Sequence, residues 1–247
     1  ASVVHEIIRA QGEHELTRKS SSLWWSALAA GLSIGFSVLA EALLSAYLPP
    51  SKWKPLIDNL GYSVGFLIVI LGHQQLFTEN TLTAVLPVIK RKKWRWFKAM
   101  VHLWIIVLCA NLVGCMIFAL TITHTPMLSA EIHQSILAIG NHLMENSATE
   151  MFVKGIAAGW LIAALVWLLP SSEGSEFFVI ILITYLIALA DFTHIIAGSA
   201  EVFYLMAQGE IVFADFLRFF FPTLAGNVIG GTALFAALSY AQVKEEI

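Results

Sequence analysis

The sequence predicts an all-α membrane protein of six transmembrane helices, arranged as two inverted three-helix repeats with the second and fifth helices broken. Three observations carry that prediction. Of 247 residues, 58% are hydrophobic and only 13% charged, whereas a soluble domain carries about 25% charged residues; the mean hydropathy is +0.77. The apolar residues gather into six segments, 23–48, 56–89, 97–123, 151–169, 176–206 and 216–241, in a chain where a crossing takes roughly 20 of them. Motifs of the first half recur in the second in the same order.

The first twenty residues are polar and charged, which reads as a cytoplasmic lead-in (1–22) forming an amphipathic helix on the membrane surface, not as a cleavable signal peptide. Segment 23–48 is a simple span containing Ala29-Ala30-Gly31. Segment 56–89 exceeds one crossing and is interrupted at Gly72-His73-Gln74-Gln75. Lys90, Arg91, Lys92, Lys93, Arg95 and Lys98 then crowd the connection to 97–123, the span that holds Cys109, Asn111, Gly114 and Cys115. The cysteines read as packing residues. The connection 124–150 has no Lys or Arg. Segment 151–169 contains Ala157-Ala158-Gly159, segment 176–206 is interrupted between Asp191 and Ser199, and segment 216–241 contains Asn227 and Gly230. Trp24, Trp25, Trp94, Trp96 and Trp104 read as interface anchors at span ends. Domain organisation follows: a lead-in, a channel domain over 23–242 and a tail over 243–247.

Ten of the fourteen basic residues fall in the lead-in, the second connection and the tail. By the positive-inside rule this places both termini in the cytoplasm of a bacterial inner-membrane protein. The repeat aligns Ala29-Ala30-Gly31 with Ala157-Ala158-Gly159, Phe77-Thr78 with Phe192-Thr193, and Asn111 and Gly114 with Asn227 and Gly230. In that alignment Glu79 occupies the position of His194. Three spans per repeat force the halves into opposite orientations, and broken helices at corresponding positions point to a solute site near the midplane.

Ionisable groups inside spans are costly unless they face a cavity or a partner. His194, at the break of the fifth segment, either donates to or polarises a passing anion, or is a neutral histidine bonded to backbone freed by the break. The proton-relay reading expects weak-acid flux to rise with external acidity and a His194→Asn variant to lose that dependence. At the other break, Gln74, Gln75, Thr78 and Asn80 supply bonds to non-helical backbone. Phe77 is then available as an apolar gate, and Thr78 as the cap of the following half-helix. Asn111 reads as inter-helix glue. Asn227 reads either as glue or as pore wall, and Phe192, Thr193 and Gly198 are further candidates for a constriction or loop. Glu41, Asp191 and Glu201 read as helix-end or network residues. No hydrolase, phosphate-loop or metalloprotease motif is present, and the eight histidines show no metal-ligand spacing. The expectation is a protein without catalytic residues, metal or cofactor, and without a nucleic-acid partner.

These residues resemble the formate/nitrite transporter family. Phe77-Thr78 is similar to the family's loop in its broken second helix, Lys154-Gly155-Ile156 with Trp160-Leu161 to the start of its fourth, and Gly226-Asn227 with Gly230-Gly231 to its sixth. His194 stands where the family keeps its central histidine. The likeness runs from Leu23 onward. It is nearest the YfdC-type branch at 60–62, 74–81, 84–88 and 222–227. The resemblance implies an aquaporin-like fold, a homopentamer embedded in lipid, and a pore in each protomer for a small monovalent weak-acid anion or its conjugate acid. It implies further that Phe77 and Phe192 form constrictions, that Thr78 and His194 bracket the central site, and that Asn227 lines the wall. Four departures stand out. Thr193 replaces the family's glutamate before the histidine, Gly198 the asparagine after it, and Gly159 the fourth-helix asparagine. No lysine lies between His124 and Val153, where His133 or His142 partly substitutes. The leading functional expectation is a channel or proton-coupled carrier for such an anion. The alternatives are a neutral-solute channel and a non-conducting scaffold or sensor.

Overall fold

The computed structural model describes residues 1–244, so Glu245, Glu246 and Ile247 of the expected tail lie outside the described residues. Helices account for the described architecture, with no strand among the described residues. Helix α1 spans Ser2–Thr17, α2 Ser20–Tyr47, α3 Lys54–Asp58, α4 Ser63–Leu71, α5 Phe77–Thr83, α6 Val85–Arg91, α7 Trp94–His124 and α8 Ala130–Glu145. The chain continues with α9 Ala148–Leu168, α10 Glu176–Leu189, α11 Ile195–Gln208, α12 Phe213–Val228 and α13 Ala237–Val243. The 3₁₀ turn Asn59–Tyr62 joins α3 to α4, and the π-helical stretch Ile229–Ala236 joins α12 to α13.

Among the described residues, five helical runs are long and apolar enough to cross a membrane: Ser20–Tyr47, Lys54–Leu71, Trp94–His124, Ala148–Ser171 and Phe213–Val243. The apolar helices Glu176–Leu189 and Ile195–Gln208 are each shorter. Large apolar side chains remain exposed along these elements, among them Trp25, Ile105, Phe178 and Leu182. Exposed apolar surface of this extent marks a contact surface.

Both expected breaks are present and have the same shape. After α4 the chain turns at Gly72-His73 and runs extended through Leu76 into α5, and after α10 it turns at Ala190-Asp191 and runs extended through His194 into α11. His73 and Asp191 are left-handed, with φ of 49° and 54°, which costs a non-glycine residue energy and ends each half-helix abruptly.

Glycines set the close approaches. A Cβ on Gly31 would lie 2.1 Å from the Asn111 carbonyl oxygen, and one on Gly159 would lie 2.2 Å from that of Asn227. Gly114 meets the Leu28 carbonyl at 2.5 Å in the same sense, and Gly230 meets that of Ile156 at 2.1 Å. Helix α2 thus lies against α7, and α9 against the α12–π region, at backbone contact. Gly159 is where the resemblance implies an asparagine, and here there is no room for one. Gly159→Asn is therefore expected to lower the yield of assembled protein in fluorescence-detected size exclusion, since overpacking costs about 1–3 kcal/mol or more. Recovery at the wild-type level would show that α9 and α12 can separate.

Two stretches differ from the sequence expectation. The connection 124–150 carries the amphipathic helix α8, with Ile132, Ile136, Gly140 and Leu143 buried. Helix α1 forms as expected but docks on protein. A Cβ on its Gly12 would sit 2.0 Å from the Thr83 carbonyl oxygen, and Glu13 accepts from Arg91 at 2.8 Å. The Arg91 guanidinium holds the Glu13 carboxyl below the usual carboxylate range. Trp104 is likewise no interface anchor: its indole N–H donates to the Asn80 carbonyl at 3.0 Å and its ring packs on Phe77.

Candidate functional site

Two buried asparagines hold the two breaks by one pattern. Asn111 Oδ1 accepts from the Phe77 N–H at 2.9 Å, while its Nδ2 donates to the carbonyls of Ala27 (2.7 Å) and Gln75 (2.9 Å). Asn227 Oδ1 accepts from the Ile195 N–H at 2.8 Å, and its Nδ2 donates to the carbonyls of Gly155 and Thr193, both at 2.9 Å. Each amide therefore supplies the bonds that an extended strand in an apolar interior lacks. Asn227 is fully buried and its polar atoms are occupied by backbone, so it acts as glue; the structure does not present it as pore wall.

The same bonds correct the repeat register. Ile195, not Phe192, takes the place of Phe77, so His194 matches Leu76 and not Glu79. The two Phe-Thr dipeptides are a coincidence of composition, displaced by three residues from the backbone frame.

At Leu76 the side chain gives no cap, whereas at His194 it does. His194 Nδ1 accepts from the Ala197 N–H at 3.2 Å. That acceptor role places the ring proton on Nε2, which donates to Thr78 Oγ1 at 2.8 Å. Thr78 is thus not the cap of α5, and its own hydroxyl hydrogen has no acceptor among the described residues. The pair is buried, with His194 2% exposed and Thr78 0%. The edge of the imidazole meets Phe66 at a centroid distance of 5.1 Å.

Of this pair, His194 lines one of two cavities and Thr78 lines neither. One, of about 400 Å³, is lined by His194, Thr193, Phe192, Gly198, Tyr62 and Glu201. Glu41, Asp58, His142 and Asp191 add titratable groups to its lining. The other, of about 690 Å³, is lined by Gln75, Glu79, Asn80 and Gln74 together with Glu15 and Arg18 at the α1 end. Thr78 shares a helical turn with Glu79 and Asn80, so the Thr78–His194 bond links the walls of the two spaces.

The remaining candidates separate by role. Gln75 accepts from Asn80 at 3.0 Å and donates to Glu15 at 2.8 Å, which closes a polar net over the second cavity. The Thr193 hydroxyl donates to the Met151 carbonyl at 2.6 Å and so holds the loop. Phe77 lies outside the lining of both cavities, its ring on Trp104 at 5.8 Å. A Cβ on Gly198 would meet the Phe219 ring at 2.7 Å. His142 reaches the first cavity, but His133 is tied to the Tyr204 hydroxyl. Lys154, one residue beyond Val153, is bonded to Asp191 and to Asn146 Oδ1. Among the described residues no His, Cys, Asp and Glu group could hold a metal ion. Sequence reasoning had Tyr62 only within the 60–62 likeness and not as a site residue, and it missed Phe66, since one tyrosine or phenylalanine in an apolar run carries no signal. It saw Glu201 only as a network residue.

A model of the formate/nitrite transporter family matches residues 2–241. The chain is 44% identical over 248 residues to the inner membrane protein YfdC of Escherichia coli (strain K12), covering 100% of this chain and 80% of that one. A solved FNT family ion channel superposes with a TM-score of 0.84 at 18% identity, covering 98% of this chain and 99% of the other. A pentameric formate channel with formate bound superposes at 0.77 with 22% identity, covering 92% and 98%.

Proposed function

The chain belongs to the formate/nitrite transporter family, and from that premise we propose that it passes a small weak acid of the formate and nitrite class through one pore per protomer. The observation that carries the reading is the Thr78–His194 bond between two cavities. It offers a solute the free hydroxyl hydrogen of Thr78, polarised by the ring N–H that donates to the same oxygen, inside an otherwise apolar constriction. A bare anion stripped of water there lacks a counter-charge. The neutral acid needs only hydrogen bonds, so the carrier form is the protonated solute and flux follows the proton.

The pore architecture belongs to the same proposal. Six crossings, the fifth made by α10 and α11 in series, form two inverted three-helix repeats around the asparagine-held breaks. Phe192 narrows the first cavity, and the polar net of Gln75 and Asn80 guards the second. Both termini face the cytoplasm of the inner membrane. Five copies assemble as in the pentameric neighbour.

Flux into proteoliposomes, for a panel of weak acids at two pH values, tests the reading. The expected result is uptake that is saturable and faster at the lower external pH. Uptake of every acid no faster than into empty liposomes would remove it and leave the scaffold reading. Native mass measurement is expected to give five copies of a 27.2 kDa chain, and a monomer in several mild detergents would count against the assembly. Reporter fusions after Lys92 should read as cytoplasmic and those after Thr125 as periplasmic.

A neutral-solute channel is the second reading, and one observation favours it. The first cavity is lined by Glu41, Asp58, Asp191 and Glu201, and Lys154 is engaged by Asp191. Such a mouth repels anions.

A further inference from the structure

We propose that Glu201 is the proton donor of this pore: it carries an exchangeable proton in the first cavity and delivers it to the weak-acid anion before the solute reaches Thr78 and His194. The inference rests on the weak-acid reading above, and it resolves the conflict between an anionic solute and an acidic mouth.

Three features carry it. Glu201 lies two helical turns beyond His194 on α11, hence on the same face, and both line the same cavity. Its side chain is 8% exposed, and it makes no hydrogen bond and no ion pair among the described residues. Tyr62, 6% exposed, lines the same cavity with a hydroxyl that makes no hydrogen bond among the described residues. Two polar groups that are more than nine-tenths buried and unpartnered, on different elements, open onto one space of about 400 Å³, which admits a small carboxylic acid together with water.

The surrounding charges leave Glu201 without a counter-ion. Helix α2 presents Glu41, α3 Asp58 with Lys54 near it, α8 His142, and the break Asp191 and His194. On α9, Lys154 is held by Asp191 and Asn146. On α12, Arg218 is held by the carbonyls of Met144 and Asn146. On α7, the Cys115 thiol donates to backbone carbonyls. An ionised carboxylate buried in this way costs several kcal/mol. The carboxylic acid avoids that cost and presents an O–H to the cavity.

The step balances. The Glu201 O–H bond breaks as the proton passes to an oxygen of the incoming anion, which becomes the neutral acid, and Glu201 is left as carboxylate. The carboxylate then takes a proton from bulk water through the open end of the cavity, past Glu41 and Asp58. One proton accompanies each anion, and Tyr62 donates to the solute while it waits.

Two measurements decide it. First, the wild-type protein in membranes is treated at neutral pH with dicyclohexylcarbodiimide, which reacts with protonated carboxyls in apolar sites, and its peptides are mapped by mass. Labelling of Glu201, reduced by excess formate, is expected; an unlabelled Glu201 alongside other labelled buried acids overturns the proposal. Second, formate uptake is followed against external pH. Glu201→Gln is expected to lose at least tenfold in rate and most of its pH dependence. Glu201→Asp, which keeps an acid, retains the profile at a lower rate. A Glu201→Gln variant with wild-type rate and profile defeats this inference alone, as does a flat profile in Glu201→Asp. If neither variant assembles, the labelling of wild-type protein decides. Wild-type protein that passes no weak acid defeats the weak-acid reading and this inference with it.

Discussion

Replacing Asn227 with leucine, which keeps the side-chain volume and removes its polar atoms, is expected to abolish recovery of assembled protein. Two backbone groups lose their partner: the Ile195 N–H and the Thr193 carbonyl, both in the extended strand that precedes α11. The Gly155 carbonyl lies within α9 and depends less on the amide. An unsatisfied buried group costs about 1–3 kcal/mol, so roughly 2–6 kcal/mol is at stake. Hydrogen bonds between membrane helices average only about 0.6 kcal/mol, because side chains of separated helices find other partners. That discount does not apply here, since non-helical backbone inside the membrane has no alternative donor. Asn227→Asp, which keeps the acceptor for Ile195, is expected to be the milder variant. Asn111→Leu should behave like Asn227→Leu, because it strips Phe77 and Gln75 in the same way. The check is melting of the detergent-solubilised oligomer followed by size exclusion. Asn227→Leu eluting as wild type with an unchanged melting temperature would mean that the loop stands without its clamp.

The spans and both breaks were legible because they rest on composition and chain length. Segment 56–89 is too long for one crossing, and Gly72 to Gln75 cannot sit in lipid as helix, so a break follows from the sequence alone. The asparagine–glycine spacing was legible for a similar reason: Asn111 with Gly114, and Asn227 with Gly230, place an amide and a gap on one helix face. The register between the breaks was not legible. It is set by which N–H each asparagine accepts, and Phe77-Thr78 and Phe192-Thr193 match as letters while differing as backbone. Glu201 was visible as a residue but not as a site. A carboxylate inside an apolar helix reads the same whether it has a partner or not, and only the lack of a bonded partner among the described residues distinguishes the cases. Helix α8 was hidden by its composition, since His133, Gln134 and Asn141 dilute an apolar face that becomes evident once Ile132, Ile136, Gly140 and Leu143 are seen buried. The docking of α1 turns on Gly12, a residue with no side chain to notice.

His194→Asn is expected to leave a folded oligomer whose weak-acid flux falls about tenfold or more at every pH, with the shape of the pH profile unchanged. The fold survives because asparagine is among the best N-cap residues, so its side-chain oxygen can replace Nδ1 as acceptor near the Ala197 N–H. The flux falls because the shorter side chain no longer reaches Thr78, and the donor at the constriction is lost; tenfold corresponds to about 1.4 kcal/mol of barrier. The profile is kept because the ring does not titrate as part of the transport step. Nδ1 already accepts from Ala197 and Nε2–H already donates to Thr78, so a proton added at Nδ1 would break the cap that starts α11. This departs from the relay reading of the sequence, in which His194→Asn flattens the profile. Measuring initial uptake of formate from about pH 5 to pH 8, the range in which an unperturbed histidine changes charge, separates the two. A flat His194→Asn profile beside a rising wild-type one would return the proton to the imidazole and take it from Glu201. Parallel curves displaced downward, together with a flat Glu201→Gln curve, would place the donor in the cavity and leave the histidine as the fixed hydrogen-bond donor at the narrowest point. Thr78→Val, which removes the partner hydroxyl while keeping the shape, is expected to lower flux in the same manner as His194→Asn, and the double variant should be little worse than either alone because both act on one bond.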